Sequence, residues 1–231
     1  KGGAGAYGDF MMETDWHVGR VLDCIDKNKL TDNTVVVFTS DNGPESTWRR
    51  RIEEYNHHSN GIYREGKRSI YEGGHRVPFL IRWPNNVKAS SKWDSPVCQT
   101  DFLATFADIL GKKLPENAGE DSVSFYKALI GQDAPQRFAM IHHSMRGRYA
   151  VREGKWKVIM ESGSKDSKRE LYDLSVDPGE LSNLIVKYPD VAERLKKSIT
   201  EIIQNGRTTS GRAQKNDTKF WSDLHWMSDP D

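Results

Sequence analysis

The run Thr34-Val35-Val36-Val37-Phe38-Thr39-Ser40 constrains this chain more than any other stretch. It is short, almost continuously β-branched or aromatic and free of charge, the composition that a strand covered on both faces requires. Thr31-Asp32-Asn33 breaks the pattern ahead of it, and before that break, from Gly8 to about Lys29, apolar residues return at helical spacing. Phe10, Met11, Trp16, Val18, Val21, Leu22 and Ile25, interleaved with Asp and Glu, predict an amphipathic helix. A helix feeding a buried strand predicts an α/β domain. The strand stops at Asp41-Asn42-Gly43-Pro44, and open α/β sheets bind ligands in the loops just past the carboxyl ends of their strands.

Glu45 to Lys67 reads as a polar, irregular segment with Arg49-Arg50-Arg51 and His57-His58, too long for a plain turn. Glu72-Gly73-Gly74 then leads into Val77-Pro78-Phe79-Leu80-Ile81-Arg82-Trp83-Pro84, a short strand bracketed by prolines. Thr100 to Leu110 predicts a helix, with Gly111 placed to end it. Beyond Gly131 the texture changes. Phe138 to His142, Tyr149 to Arg152, Trp156 to Met160 and Glu170 to Leu174 are short strand candidates between Gly and Ser turns, a small antiparallel sheet. Val191, Leu195, Ile199, Ile202 and Ile203 give Pro189 to Gln204 one apolar helical face to cover that sheet. The expected organisation is an α/β part over residues 1–136, a small sheet-plus-helix subdomain over 137–205, and a tail over 206–231 that is polar apart from Phe220, Trp221, Leu224 and Trp226.

Composition narrows the function classes only a little. With 34 Lys+Arg against 33 Asp+Glu, no charge imbalance points to nucleic acid or an anionic membrane. No apolar run approaches the roughly 18 residues needed to span a bilayer. The two cysteines, Cys24 and Cys98, have no zinc-site spacing and can pair or stay free. The opening Lys1-Gly2-Gly3-Ala4-Gly5 is neither a signal peptide nor a Met start, so a segment ahead of it is expected.

Two places carry chemistry. Asp41 and Asn42 offer a carboxylate and an amide carbonyl, hard oxygen ligands suited to calcium or magnesium, where an ordinary Asp-Asn-Gly triplet would be a turn. Alone they fill only part of a coordination shell. Lys67, in Gly66-Lys67-Arg68, is by default a solvated loop charge; as a functional group its ammonium would offset charge on a bound oxyanion or leaving group. His57, His58, His75, His142 and His143 read as surface or packing residues, although the pair at 142 and 143 closes a strand that could border a pocket. Trp156 and Tyr172 read as core residues of the small sheet.

Four stretches in series resemble the sulfatase family of the alkaline-phosphatase-like superfamily, in its C-terminal half. They are Tyr7-Gly8-Asp9 through Val18-Gly19-Arg20-Val21-Leu22-Asp23; Asp32 through Asp41-Asn42-Gly43-Pro44; Gly66-Lys67 through Tyr71-Glu72-Gly73-Gly74-His75-Arg76-Val77-Pro78-Phe79; and Glu170-Leu171-Tyr172-Asp173-Leu174 through Asp177-Pro178-Gly179-Glu180. The resemblance implies an alkaline-phosphatase-like α/β sandwich followed by a small α+β domain, and hydrolysis of aryl or carbohydrate sulfate esters. It implies that Asp41 and Asn42 ligate the calcium (or magnesium) holding the sulfate, and that Lys67 contacts the sulfate or the leaving oxygen. The family's nucleophile, a formylglycine made within Cys/Ser-x-Pro-x-Arg, has no counterpart here: the only Pro-x-Arg triplet, Pro135-Gln136-Arg137, has Asp133 at the nucleophile position. The nucleophile and the remaining metal carboxylates are therefore expected on an upstream half, without which this chain would be inactive. Export, or a lysosomal location, is the family's implication. The alternatives are a phosphodiesterase or phosphonate monoester hydrolase of the same superfamily, and a non-catalytic module in which Arg49-Arg50-Arg51 bind sulfated glycans.

Overall fold

The computed structural model describes residues 2–163, 166–217, 221 and 223–227 of the chain; Phe220, named above, lies outside them. The chain divides into two compact units, Lys1–Ser91 and Lys92–Asp231.

The first unit opens with α1 (Gly5–Lys27), the amphipathic helix the apolar spacing predicts. Thr14, Val18, Leu22 and Ile25 lie along one face and are half-buried, yet no residue of α1 is fully buried. β1 (Val36–Thr39) follows and pairs antiparallel with β2 (Phe79–Arg82), with Val37 opposite Ile81 and Phe38 opposite Leu80. The β-branched run thus forms its strand, but against expectation neither face is fully covered by the described residues: Val36, Val37 and Thr39 are half-buried and Phe38 is exposed. Arg82 ties the ribbon to the end of α1 by donating from its guanidinium to Asp26 at 2.8 Å.

The segment from Glu45 to Lys67 is not irregular throughout, which corrects the sequence reading. Trp48–Tyr55 form α2. Apolar periodicity is too sparse to announce this helix; Arg50 and Glu54 pair across one turn, and Asn56 in the left-handed conformation (φ 50°) closes it, its amide donating to the Ile52 carbonyl and the following His57 amide to the Arg51 carbonyl. A single further turn, α3 (Glu72–His75), sits immediately before β2.

The second unit contains α4 (Phe102–Ile109), ended by Gly111 at φ 61°, and the short α5 (Tyr126–Leu129). Then come β3 (Met140–His143), β4 (Tyr149–Glu153), β5 (Trp156–Ile159) and β6 (Glu170–Asp173), paired antiparallel in the order β3-β4-β5-β6. The turns are as tight as the sequence implies, with Gly154 at φ 55° between β4 and β5. α6 (Pro189–Asn205) begins with Pro in its first turn and ends at Gly206 in the left-handed region, and it carries its apolar stripe to the sheet. Leu195 and Ile199 are fully buried against Val151, Val158, Met160 and Leu171, each such side chain contributing roughly 1.5–3 kcal/mol. Leu224 and Trp226 join this core, whereas Trp221 remains 53% exposed. Tyr172 is buried in β6, and Trp156 packs at the core's edge on Tyr188, ring centroids 5.2 Å apart.

Both cysteines are free. Among the described residues no helix is long and apolar enough to cross a membrane.

Candidate active-site loops

Asp41, Asn42 and Gly43 leave β1 at its carboxyl end, and three segments distant in sequence meet there through backbone hydrogen bonds. The Gly43 amide donates to the Gly74 carbonyl at 2.9 Å, the Lys67 amide to the Pro44 carbonyl at 2.9 Å, and the Gly73 amide to the Arg64 carbonyl at 2.9 Å. Glycine is demanded here by proximity. A Cβ on Gly43 would stand 1.8 Å from the Gly73 carbonyl oxygen, one on Gly66 2.4 Å from the Pro44 oxygen, and one on Gly74 2.3 Å from the Ser69 oxygen. The glycines therefore let the backbones touch, which brings the loop of Lys67 against the loop of Asp41 and Asn42. Gly43→Ala is expected to cost about 1–3 kcal/mol by forcing those backbones apart. The checks are the unfolding midpoint and the hydrogen-exchange rate of the Gly43 amide, which should rise.

The side chains on these loops are arranged for polar work. Asp41 is exposed and Asn42 half-buried. The Asn42 side-chain amide nitrogen donates to the Gly43 carbonyl at 3.0 Å, which leaves its Oδ1 as the end a cation can take. A carboxylate and an amide oxygen, adjacent in sequence and at the open end of a strand, fit calcium or magnesium in chemical type, and would supply two of the about six to eight ligands that calcium takes. Lys67 extends from a turn whose flanking residues Glu65 and Arg68 hold positive φ angles of 62° and 75°, conformations that cost a non-glycine residue energy and gather at functional loops. Its ammonium lies 3.9 Å from Glu45, whose other oxygen accepts from Arg68 at 2.6 Å. That Arg68 hydrogen bond, together with the Ser46 amide, holds the Glu45 carboxyl down to about 2.

Sequence reasoning missed the part played by Glu72. It is only 2% exposed; His75 Nε2 lies 3.0 Å from one of its oxygens and Arg76 donates to the other at 3.3 Å. An acid followed by His and Arg three and four residues on was the available signal. The arginine run is otherwise engaged: Arg49 pairs with Glu65, Arg50 with Glu54, and the buried Arg51 donates to Ser59 at 2.8 Å and Thr47 at 2.9 Å with its guanidinium 3.9 Å over the Tyr7 ring. His57 and His58 are exposed.

In the second unit, Pro135-Gln136-Arg137 is structural. The Arg137 side chain is buried, pairs with Asp101, and donates to the Asp121 carbonyl at 3.1 Å. Cys98 lies beside it, 2.7 Å from Thr100 Oγ1, and burial pushes its thiol up, so it is poorly poised as a nucleophile. His142 is half-buried in β3, and His143 stacks on Tyr149 with ring centroids 4.2 Å apart.

Comparison with known proteins completes this picture. Residues 3–112 match the family model Sulfatase, and residues 61–205 match N-sulphoglucosamine sulphohydrolase, C-terminal. The chain is 36% identical over 219 residues to an N-acetylgalactosamine-6-O-sulfatase of Bacteroides thetaiotaomicron, covering 87% of this chain and 42% of that one. A solved Bacteroides thetaiotaomicron structure, from work on its metabolism of multiple glycosaminoglycans, superposes with a TM-score of 0.78 at 34% identity over 87% of this chain and 45% of the other. Another solved structure, in complex with its substrate D-glucosamine-2-N,6-O-disulfate, has a TM-score of 0.66 at 25% identity over 83% and 38% of the respective chains. The chain thus spans less than half the length of each of these relatives, and it corresponds to their C-terminal portion.

Proposed function

The chain belongs to the sulfatase family, with the α/β, alkaline-phosphatase-like fold of that family followed by a small antiparallel sheet and helix, and we propose that it supplies part of the active site of a carbohydrate sulfatase. The observation carrying this reading is the backbone seam joining Pro44 to Lys67 and Gly43 to Gly74, which sets Asp41, Asn42 and Lys67 on one loop cluster at the end of β1. The reaction is hydrolysis of a sulfate ester: water enters, the S–O bond to the sugar breaks, and the sugar oxygen leaves with a proton.

Asp41 and Asn42 would hold calcium, with magnesium as the other hard cation that fits. When bound, such a cation screens the sulfate oxygens and makes sulfur a better target. Lys67 reaches the same region as a point charge that stabilises negative charge on the departing oxygen. Glu45, paired with Arg68, keeps a carboxylate beside Lys67 and so helps to hold its ammonium in place. The attacking formylglycine and the remaining metal carboxylates would come from an upstream segment, so that the residues present here bind and orient without starting the reaction. Export or lysosomal delivery goes with this assignment.

The relatives' names direct the choice of substrate toward 6-O-sulfated amino sugars. The test is sulfate release from 6-O-sulfated N-acetylgalactosamine by the chain assembled with its complementary catalytic segment. Release should stop on chelation and return with calcium. Faster turnover of phosphate or phosphonate monoesters than of sulfate esters by the same preparation would move the assignment to the phosphoryl-transferring branch of the superfamily.

A further inference from the structure

The turn that presents Lys67 is held in a shape its own residues resist. Glu65, two residues ahead of the lysine, sits at φ 62°, and Arg68, just after it, at φ 75°, the left-handed region that costs a residue with a side chain energy. Something outside the turn has to keep Glu65 there. The side chain of Asn60 does so: its Nδ2 donates to the Tyr63 carbonyl at 2.7 Å and to the Glu65 carbonyl at 3.1 Å, while the Tyr63 amide donates back to the Asn60 backbone carbonyl at 3.1 Å. The carbonyl between those two, that of Arg64, goes to a different partner, the Gly73 amide at 2.9 Å. Three successive carbonyls are thus fixed by two partners. There is no slack on the second side either, since a Cβ on Gly73 would stand 2.3 Å from the Glu65 oxygen and 2.4 Å from that of Arg64.

The chemistry of position 60 calls for a side-chain amide. Its NH2 group carries two protons, one for each carbonyl; a carboxylate would set an oxygen against two carbonyl oxygens, and a hydroxyl could satisfy only one of them. The other end of the side chain gains nothing. Oδ1 of Asn60 is buried with no hydrogen-bond partner among the described residues, and an unsatisfied buried acceptor is costly. Strain and an unsatisfied acceptor gathered this close to Lys67 are the mark of a loop held in place for its function. The Lys67 amide is itself tied to the Pro44 carbonyl at 2.9 Å, so any shift of residues 63–65 moves the lysine relative to the loop of Asp41 and Asn42. We infer that Asn60 is a positioning residue: by clamping the Tyr63 and Glu65 carbonyls it aims the Lys67 ammonium at the oxygen that leaves the sulfate. The inference rests on the role proposed above for Lys67.

Asn60→Ala removes both donors, and Asn60→Asp replaces them with an acceptor of nearly the same shape. In the enzyme assembled with its complementary catalytic segment, each should lower kcat for 6-O-sulfated N-acetylgalactosamine about 10–100-fold with KM little changed, because a displacement of about 1 Å is enough for such a loss. Turnover of p-nitrophenyl sulfate, whose oxygen departs without help, should fall far less. The Lys67 and Gly73 amides should exchange roughly 10-fold faster as the loop loosens. A double-mutant cycle gives the readout that a merely structural residue would not move: in Lys67→Ala enzyme, adding Asn60→Ala should lower kcat no further. Where Asn60→Asp fails to fold, Asn60→Ser, which keeps one donor, replaces it and should fall between Asn60→Ala and the parent. The inference is overturned by an equal further loss in the Lys67→Ala background, by equal losses on the two substrates, or by unchanged exchange of the Lys67 amide. A loss in Lys67→Ala with none in the Asn60 variants overturns it alone, whereas a parental kcat for Lys67→Ala overturns the role of the lysine and this inference with it.

Discussion

Lys157→Met is expected to cost the second unit about 3–5 kcal/mol, the usual penalty for removing one member of a buried ion pair. Lys157 lies in the middle of β5 with no solvent exposure, and its ammonium is 2.8 Å from Oε1 of Glu180, which is also fully buried. Glu180 holds φ at 53°, a conformation in which a non-glycine residue is strained, so the loop after β6 is bent to deliver this carboxylate. With methionine in place of lysine the chain keeps most of the volume and loses the counter-charge. Urea unfolding followed at the amides of β5 checks both size and sign. Replacing both residues by apolar ones should restore much of the loss, because it removes two buried charges together. A Lys157→Met variant as stable as the parent at neutral pH would show that the pair contributes nothing net.

How far such features are legible in sequence depends on their range. β3 to β6 and α6 follow from local alternation, helical spacing, a Pro start and a Gly stop, and the structure places them within a residue or two of the expected bounds. α2 was hidden because Trp48 to Tyr55 is nearly all polar, and its support comes from Arg50–Glu54 and the Asn56 cap, which leave no apolar period. Lys157 reads like any polar residue of a strand, since its partner is a loop residue beyond the next strand. The coverage of β1 was legible as a demand but not as a contact: the composition asks for neighbours on both faces, and the described residues supply only some of them. At the candidate site the residue types at Asp41, Asn42 and Lys67 were readable, while their convergence was not. It depends on carbonyl oxygens of Gly73, Pro44 and Ser69 lying where a Cβ would otherwise be, and the glycines at 43, 66, 73 and 74 announce such closeness only once the chain is folded.

The sharpest functional test falls on Lys67. In the assembled enzyme Lys67→Ala is expected to lower kcat about 10²–10³-fold, the usual loss when one preorganised group facing developing negative charge is removed. Stability should barely change. The lysine side chain is 36% exposed, its contact with Glu45 is 3.9 Å long, and Glu45 keeps its closer partner Arg68 at 2.6 Å, so the ion pair lost is of the surface kind, worth at most about 1 kcal/mol. The division between kcat and KM separates two roles. A lysine acting on the leaving oxygen loses kcat with KM little altered, whereas one that only holds the sulfate in both ground and transition states loses affinity with kcat preserved. Leaving-group dependence gives the second readout: an activated aryl sulfate, whose oxygen departs without help, should suffer far less from Lys67→Ala than a sugar sulfate. Lys67→Arg should rescue poorly, because a planar fork cannot take the place of a compact ammonium on a turn this tightly held. Equal losses on both substrates with unchanged kcat would remove Lys67 from the leaving-group side and leave it as a binding group for the sulfate.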